Sequence, residues 1–525
     1  MANKRMVKPW VKYAQKGVIV AAILAVLYYT ASISGVLPGS SSSKSGLFGG
    51  GDKDVITIGV NTFCGFMPMM LLNNGLEPNE DCILYKNFGI KAKIIIQDNF
   101  EAGRQAFLND EINLIYCTVD ALPTEMSESS EMAKAGVKYI NISNWSRGAD
   151  IIVANKHVQK VEDLIGKTIC CSRGTASHTL LLNTLETSGI SADQTNETQE
   201  VMKDKINIRV CEDGIEAGKI YRAGAIDAAV VYSPDDADII NSMAGSHRLV
   251  STKQATSIIC DGLIAKKEYI ENHRDLIKSF LTALLWANSE MNNNPESVKT
   301  AAKVFSQNFD FSEDAVMQCV DGIRYVTLED EKNFFGLNSD YTGMTGQELY
   351  SKMARTYSKL GICQSPLPWN KVSDTSIIEE LIADGNVPGV QTAEAARTFA
   401  APTKELETAQ EISTKKLSIE YATGSSTLDN DAKSLIDREF VSIAKQFAGA
   451  RIRIEGNTDA TGSDAINVPL SKARAQAVAD YLAKEYNFDK NRFIVIGNGS
   501  KKAREAGVTG DNQAYRTTDF ELINE

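Results

Sequence analysis

The stretch Gly456-Asn-Thr-Asp-Ala-Thr-Gly462, followed closely by Asn467-Val-Pro-Leu-Ser-Lys-Ala-Arg-Ala-Gln-Ala-Val-Ala-Asp-Tyr-Leu482, decides how the C-terminal part of this chain is read. Just before it, Arg451-Ile-Arg-Ile-Glu-Gly alternates apolar and polar side chains, the period-two signature of a strand. After it, Asn467 is placed to cap a helix with Pro469 in its first turn, and Leu470, Ala473, Ala477, Tyr481 and Leu482 form the expected buried stripe. A strand ending at Asp459 and a helix showing Arg474 near its start would set an acid and a base beside one small site. A zwitterion fits such a pair, its ammonium on Asp459 and its carboxylate on Arg474. The plainer alternative is that the two side chains only pair with each other on the surface. Upstream, Leu417-Ser-Ile-Glu-Tyr-Ala begins with strand alternation, and Asp429 to Phe447 reads as an amphipathic helix.

These residues resemble the C-terminal motif shared by OmpA, Pal and MotB, over roughly Leu417 to Glu525. The resemblance implies non-covalent binding of peptidoglycan through the diaminopimelate end of its stem peptide. Thr458, Asp459, Gly462, Asn467, Leu470 and Arg474 stand at the matching positions, and in the family the Asp and Arg hold the diaminopimelate group. Two departures are visible. The family's usual His before Thr458 is Asn457, which changes hydrogen bonding in the site, and its closing Asn-Arg-Arg reads Tyr515-Arg516-Thr517, which bears on the C-terminal part of the pocket.

The middle of the chain alternates short apolar runs with amphipathic segments: Val55-Ile-Thr-Ile-Gly-Val, Ala92-Lys-Ile-Ile-Ile, Ile112-Asn-Leu-Ile-Tyr, Ile151-Ile-Val-Ala, Lys167-Thr-Ile-Cys-Cys and Ala228-Ala-Val-Val-Tyr. That rhythm predicts parallel sheets covered by helices, and its length predicts two α/β lobes with a ligand cleft beyond the strand ends. Ser172-Arg-Gly-Thr-Ala-Ser-His supplies small hydroxylated residues before an apolar helix, a turn whose amides favour an anion. On the alternative reading, Thr175 or Ser177 only caps that helix, and Arg147 and Arg173 are solvated.

The order of these pieces resembles type II periplasmic solute-binding proteins of the nitrate, sulfonate and thiamine-precursor group, over roughly Val55 to Asp384. Val161-Glu-Asp-Leu-Ile-Gly-Lys-Thr-Ile with the Ser172 turn carries it most, helped by Val55 to Pro68, Asp110 to Asp120, Ser146 to Ala154 and Ala225 to Asp235. The resemblance implies a solute site built from Thr62, Phe63, Cys64, Gly65, Thr118, Asp120, Arg147, Arg173, Gly174, Thr175, Ser177, Tyr232 and Asp235, with an anionic cargo. Unpaired Arg147, Arg173 and Thr175 facing one cavity would favour binding; apolar filling of the cleft would favour a scaffold.

Enzyme activity is not expected. Ser177 and His178 are neighbours, and adjacent helical residues point about 100° apart, so they do not form a nucleophile and base by themselves. The four histidines (157, 178, 247 and 273) have no metal-pair spacing, and the nine cysteines include no CxxC. No metal and no cofactor is expected. An odd cysteine count leaves at least one free within a chain.

The first 54 residues carry the topology. Gly17 to Leu37 is uncharged and mostly Ala, Val, Ile and Leu, long enough at about 1.5 Å per residue to cross a core of about 30 Å. Lys4, Arg5, Lys8, Lys12 and Lys16 precede it without an acid, which keeps the N-terminus cytoplasmic. Ser32 and Ser34 leave signal-peptide cleavage open. The first cysteine, Cys64, is too distant for a lipid anchor. A net charge of −12 argues against a general nucleic-acid partner.

The expected organisation is a cytoplasmic tail (1–16), a transmembrane helix (17–37), a Ser/Gly linker (38–54), a two-lobed α/β periplasmic-binding-protein fold (55–386), a linker (387–415) and a small α+β OmpA-like domain (416–525). The expected protein sits in a bacterial inner membrane by a single pass with its main body periplasmic. It would capture a small solute for an ABC transporter permease or a sensor and grip peptidoglycan. The rival expectation is a structural envelope scaffold whose binding fold has lost its ligand. A proton-driven stator does not fit, because Gly17 to Leu37 holds no acid.

Overall fold

The computed structural model describes residues 55–309, 311–422 and 424–524. The tail, the 17–37 segment and the Ser/Gly linker to residue 54 lie outside the described residues. Among the described residues no helix is long and apolar enough to cross a membrane.

In chain order the strands are β1 (Val55–Val60), β2 (Lys91–Ile96), β3 (Leu114–Thr118), β4 (Val137–Ser146), β5 (Asp150–Ala154), β6 (Thr168–Ser172), β7 (Thr195–Asn196), β8 (Ile206–Cys211), β9 (Ala228–Tyr232), β10 (His247–Ser251), β11 (Cys260–Lys266), β12 (Ile323–Tyr325), β13 (Glu411–Leu417), β14 (Arg451–Asn457), β15 (Phe493–Gly499) and β16 (Thr518–Ile523). They form three sheets, ordered β12-β4-β11-β3-β1-β2, β10-β5-β9-β6-β8-β7 and β13-β16-β14-β15. The first two are the lobes. Val, Ile and Ala dominate β1 and β9 because helices cover both faces of the sheet.

The sheets are mixed rather than parallel throughout. β1, β2 and β3 pair in parallel, as do β6, β7, β8 and β9, whereas β4, β5, β10 and β11 pair antiparallel with their neighbours. The reason lies in the chain path. β4 runs into β5 through Gly148, at φ 142°, and β10 returns toward β11, so a chain that leaves one lobe and comes back runs once each way.

A helix from the end of this domain, Gly346–Lys359, lies against both lobes. Its start is closed by reciprocal hydrogen bonds between Thr345 and Glu348. Tyr350 donates to the Leu367 carbonyl in the first lobe at 2.8 Å. On the second lobe, Lys352 pairs with Glu186 at 2.5 Å, Asn183 contacts the Met353 sulfur and Tyr357 meets Thr179 at 2.7 Å.

The expected 387–415 linker is not a loose connection. Val390 donates to Ser289 Oγ, Thr327 Oγ1 to the Thr392 carbonyl, Glu394 N–H to Asp330 and Phe399 N–H to Asp489, so the segment is strapped along the first lobe up to the last domain. Strand β13 also starts at Glu411, inside that stretch, where it pairs with β16. The last domain therefore begins earlier than residue 416, because backbone pairing, not apolar alternation, extends the strand.

That domain packs directly on the second lobe. Lys160 pairs with Glu411 at 3.0 Å, Thr414 N–H donates to Glu162 at 2.7 Å, and the apolar core runs from Ile152, Leu249 and Ile258 into Ile412, Phe440 and Phe520.

The helix after β14 corrects two expectations. It spans Asp464–Glu485, so Ser463 precedes it, Asn467 lies within it, and Pro469 is internal. Its buried face is Asn467, Ser471, Ala475, Val478, Ala479 and Leu482; of the expected stripe only Leu482 is buried. Small residues set this phase. A Cβ on Gly456 would strike the Ser471 carbonyl, and one on Gly497 would lie 2.6 Å from the Val468 carbonyl, so helix and sheet touch backbone to backbone.

Candidate functional site

The last domain gathers its charged groups where β14 ends. Thr458 N–H is held by the Gly499 carbonyl at 2.8 Å, which fixes the strand end and points Asp459 into the loop. One Asp459 oxygen accepts the Thr461 N–H at 2.9 Å; the other accepts Arg516 Nε at 2.7 Å and lies 2.6 Å from its Nη2. Burial alone would raise this carboxyl, but the Thr461 amide and the Arg516 guanidinium outweigh it and hold it below its ordinary value. It stays ionised at neutral pH.

Among the described residues Arg474 has no carboxylate paired with it. Its Nε donates to the Ser425 carbonyl at 3.0 Å, and its guanidinium lies 4.6 Å from the centre of the Tyr421 ring. Burial lowers its pKa, with Tyr421 and Asp459 opposing that and Arg516 adding to it. Asn467 Nδ2 donates to the Thr461 carbonyl at 2.9 Å and closes the loop around Gly462, whose φ is 87°. Leu470 is half-buried on the same helix. The surface alternative, a direct Asp459–Arg474 pair, is not what forms: Asp459 pairs with Arg516. That residue was missing from the expected set. The signal was present in Tyr515-Arg516-Thr517, which keeps one arginine of the closing motif. Asn457 bonds Thr517 and Asn498, so it serves the strand end.

The interlobe site differs more from expectation. Arg147 is not free: it pairs with Glu394 at 2.6 Å, donates to the Thr256 carbonyl and lies over Trp145. Arg173 pairs with Glu197 at 2.7 Å. Asp235 pairs with Arg222 at 2.7 Å. Both backbone and hydroxyl of Thr62 donate to Asp98. The Phe63 ring packs over Gly65 and edge-on to Phe66, while the Cys64 thiol is buried against Cys319. Tyr232 lies against Gly214, its phenol raised by burial. These side chains are held by their own protein.

What the structure does bring together is Thr118 and Asp120 of the first lobe with Thr175 to Thr179 of the second. Gly174, at φ 73°, lets the turn reverse. Thr175 and Ser177 do not cap the helix Ala176–Glu186 through their side chains: Thr175 Oγ1 donates back to the Ser172 carbonyl at 3.0 Å, and Ser177 Oγ accepts from Ser172 N–H at 3.3 Å. His178 Nδ1 accepts from Gly174 N–H at 3.2 Å, so His178 and Ser177 have separate partners. Burial and Arg173 push that imidazole down to about 4, which keeps it neutral. Thr179 and Tyr357 share a hydrogen bond, and Tyr357 also donates to the Thr175 carbonyl at 3.2 Å.

Asp120 faces this group at 0% exposure, and among the described residues neither of its oxygens has a well-formed hydrogen bond. Burial raises its carboxyl to about 7, with Thr179 and Thr118 opposing that and Asp150 adding to it. Asp150 is raised to about 6 and Asp261 well above its usual range, again by burial. The expected signature of unpaired arginines is absent among the described residues. The groups that meet between the lobes are polar, buried and acidic. Thr179, Tyr357, Asp150 and Asp261 were not legible as site residues, since only the fold joins them.

A cavity of about 750 Å3 lies elsewhere, where the first lobe, the strap and the last domain meet, lined in part by Trp145, Phe334, Tyr341, Phe399, Tyr486 and Phe488.

Residues 140–298 match a family model described as NMT1/THI5 like, and residues 420–517 match the OmpA family. The chain carries an NMT1/THI5-like domain and an OmpA domain. The OmpA domain is similar to outer membrane porin F of Pseudomonas aeruginosa, 34% identical over 84 residues, 16% of this chain and 23% of that protein. It is also similar to peptidoglycan-binding protein ArfA of Mycobacterium tuberculosis, 35% identical over 91 residues, 16% of this chain and 28% of that one. The chain thus spans about a quarter of the length of these curated relatives. Among solved structures, the periplasmic aliphatic sulphonate binding protein SsuA from Escherichia coli aligns with a TM-score of 0.46 and 16% identity, over 62% of this chain and 100% of that one. The NMT1/THI5-like domain is built from two mixed α/β lobes joined by crossing strands.

Proposed function

We propose that this chain is a solute-binding protein of the cell envelope that grips peptidoglycan through its OmpA domain. The observation that carries the reading is the Asp459, Arg474 and Arg516 constellation: a buried acid with two guanidiniums around a loop mouth, and the exposed Asp511 also on Arg516, a charge pattern that suits an amino acid-like end group. On this reading, Arg474 and Arg516 take the carboxylate of the diaminopimelate stem and Asp459 takes its ammonium. The segment 17–37 anchors the chain in the inner membrane, the body lies in the periplasm, and the NMT1/THI5-like domain hands its solute to a permease or a sensor. A soluble stem tripeptide containing diaminopimelate should bind the full chain, and the Arg474→Ala variant should bind it at least ~10-fold more weakly, as loss of a charge-assisted pair implies. Equal affinities would remove the site from the account.

The scaffold reading has one observation in its favour. Helix Gly346–Lys359 ties both lobes together through Tyr350, Lys352 and Tyr357, which opposes the opening that lets a solute enter. A thermal-shift screen of the full chain against small solutes separates the two: a specific shift sustains solute binding, and a flat response from folded protein leaves a wall-bound scaffold.

A further inference from the structure

The interlobe cleft points to cargo of the opposite charge from the one its arginines suggested. Three acids lie at its heart. Asp120 ends the β3 side, Asp261 opens β11 opposite Thr118 and Asn144, and Asp150 opens β5 opposite Tyr232. Each is buried, at 0%, 7% and 4% exposure. Among the described residues none has a salt-bridge partner. Among the described residues neither oxygen of Asp120 has a well-formed hydrogen bond, the Thr179 and Thr118 hydroxyls being near it without closing one, and the neighbouring Asn144, also at 0% exposure, has none on Oδ1. Orphaned buried acceptors of this kind are costly unless something supplies donors. The protein's own cations are elsewhere: Arg147 is on Glu394, Arg173 on Glu197 and Arg222 on Asp235.

A bare metal ion does not suit the arrangement. No group of His, Cys, Asp and Glu among the described residues converges closely enough to hold one. Acceptors spread over two lobes and two crossing strands call for an extended donor with several N–H groups. Thr179 and Tyr357 add hydroxyls at the same place, and His178, kept neutral, adds no competing charge.

We propose that the cleft binds a small organic cation, an ammonium or amidinium with several N–H donors, whose charge lies against Asp120 and whose remaining donors reach Asp150, Asp261 and Asn144. This rests on the solute-binding reading of the domain and names the class of its cargo. Tyr357 then closes over the solute from the bridging helix.

The test is a thermal-shift and calorimetric titration of the purified full chain with agmatine, putrescine and benzamidine, beside methanesulfonate, nitrate, phosphate and calcium chloride. At least one amine should raise the melting temperature by ~2 °C or more at saturation. Asp120→Asn removes the charge without removing volume, so the variant should fold with an unchanged or higher melting temperature and lose at least ~10-fold in amine affinity. An amine response that survives in Asp120→Asn overturns the assigned site. A response to the anions or to calcium without one to amines overturns the cationic class while the domain remains a solute binder. Silence toward every probe, with the protein folded, overturns the class and the solute-binding reading together.

Discussion

Asp120 and Asp459 are both buried acids, yet their surroundings set them apart. Asp459 has an amide and a guanidinium, so its pKa is depressed; Asp120 has only the weak influence of the nearby Thr179 and Thr118 hydroxyls, so burial lifts it to about 7. The consequences for stability have opposite signs. Asp120 titrates near 3.8 when unfolded, so the native state prefers its protonated form, and its contribution falls as pH rises from about 4 to about 7 and is flat beyond. Asp150, raised to about 6, adds to the fall over the lower part of that window. Asp459 acts below it, its contribution lost as pH drops through its depressed pKa. The buried acids should therefore favour the folded state near pH 5 over pH 8 by on the order of a few kcal/mol at most, while His178, held down at about 4, opposes them below its ordinary value of 6.5, so the contribution of Asp120 is read from the variant and not from the net slope. Melting curves of wild type and Asp120→Asn across that range check this: the variant should gain on wild type as pH rises, and identical slopes would remove Asp120 as a source of the fall.

At the scale of elements, the helix Asp464–Glu485 shows what a sequence does and does not disclose. Its existence was plain from the pattern after Asn467, and Asp459 and Arg474 lie near enough to influence each other electrostatically without pairing, because a strand, a loop and a helix that follow one another stay adjacent. Its phase was not plain. The apolar residues Leu470 and Tyr481 suggested one face, while the sheet selected Ser471 and Ala475, whose small size lets the backbone approach Gly456 and Gly497. Gly456→Ala should accordingly cost about 1–3 kcal/mol, since its Cβ meets a backbone carbonyl and not a flexible side chain. Chemical denaturation of the OmpA domain measures that cost, and a neutral result would mean the helix can stand off. Arg516 escaped notice for a related reason: it reaches Asp459 only because β16 pairs with β14, far apart in sequence.

Over the whole molecule, long-range partners account for the larger corrections. Arg147 finds Glu394 across 247 residues, a pairing no local pattern discloses, and it turns an expected ligand contact into a clasp on the strap. The two-lobed plan was readable from alternating apolar runs; its closed, acidic cleft and its bridging helix were not. The strap and β13 also move the edge of the OmpA domain. A fragment spanning 404–525 keeps the β13 residues Glu411 to Lys415 in their ladder with β16, whereas one spanning 416–525 leaves that edge unpaired. The longer fragment should melt several degrees higher, as lost ladder bonds and the buried Ile412 imply; equal melting temperatures would mean β13 belongs to the strap alone.

The central claim is that this chain holds the wall through the charges around Asp459, and co-sedimentation with purified diaminopimelate-type sacculi tests it most directly. The full chain should pellet with the sacculi and be released by excess stem tripeptide, while a folded Asp459→Asn, Arg474→Ala double variant should stay in the supernatant. A double variant that pellets like wild type would contradict the account.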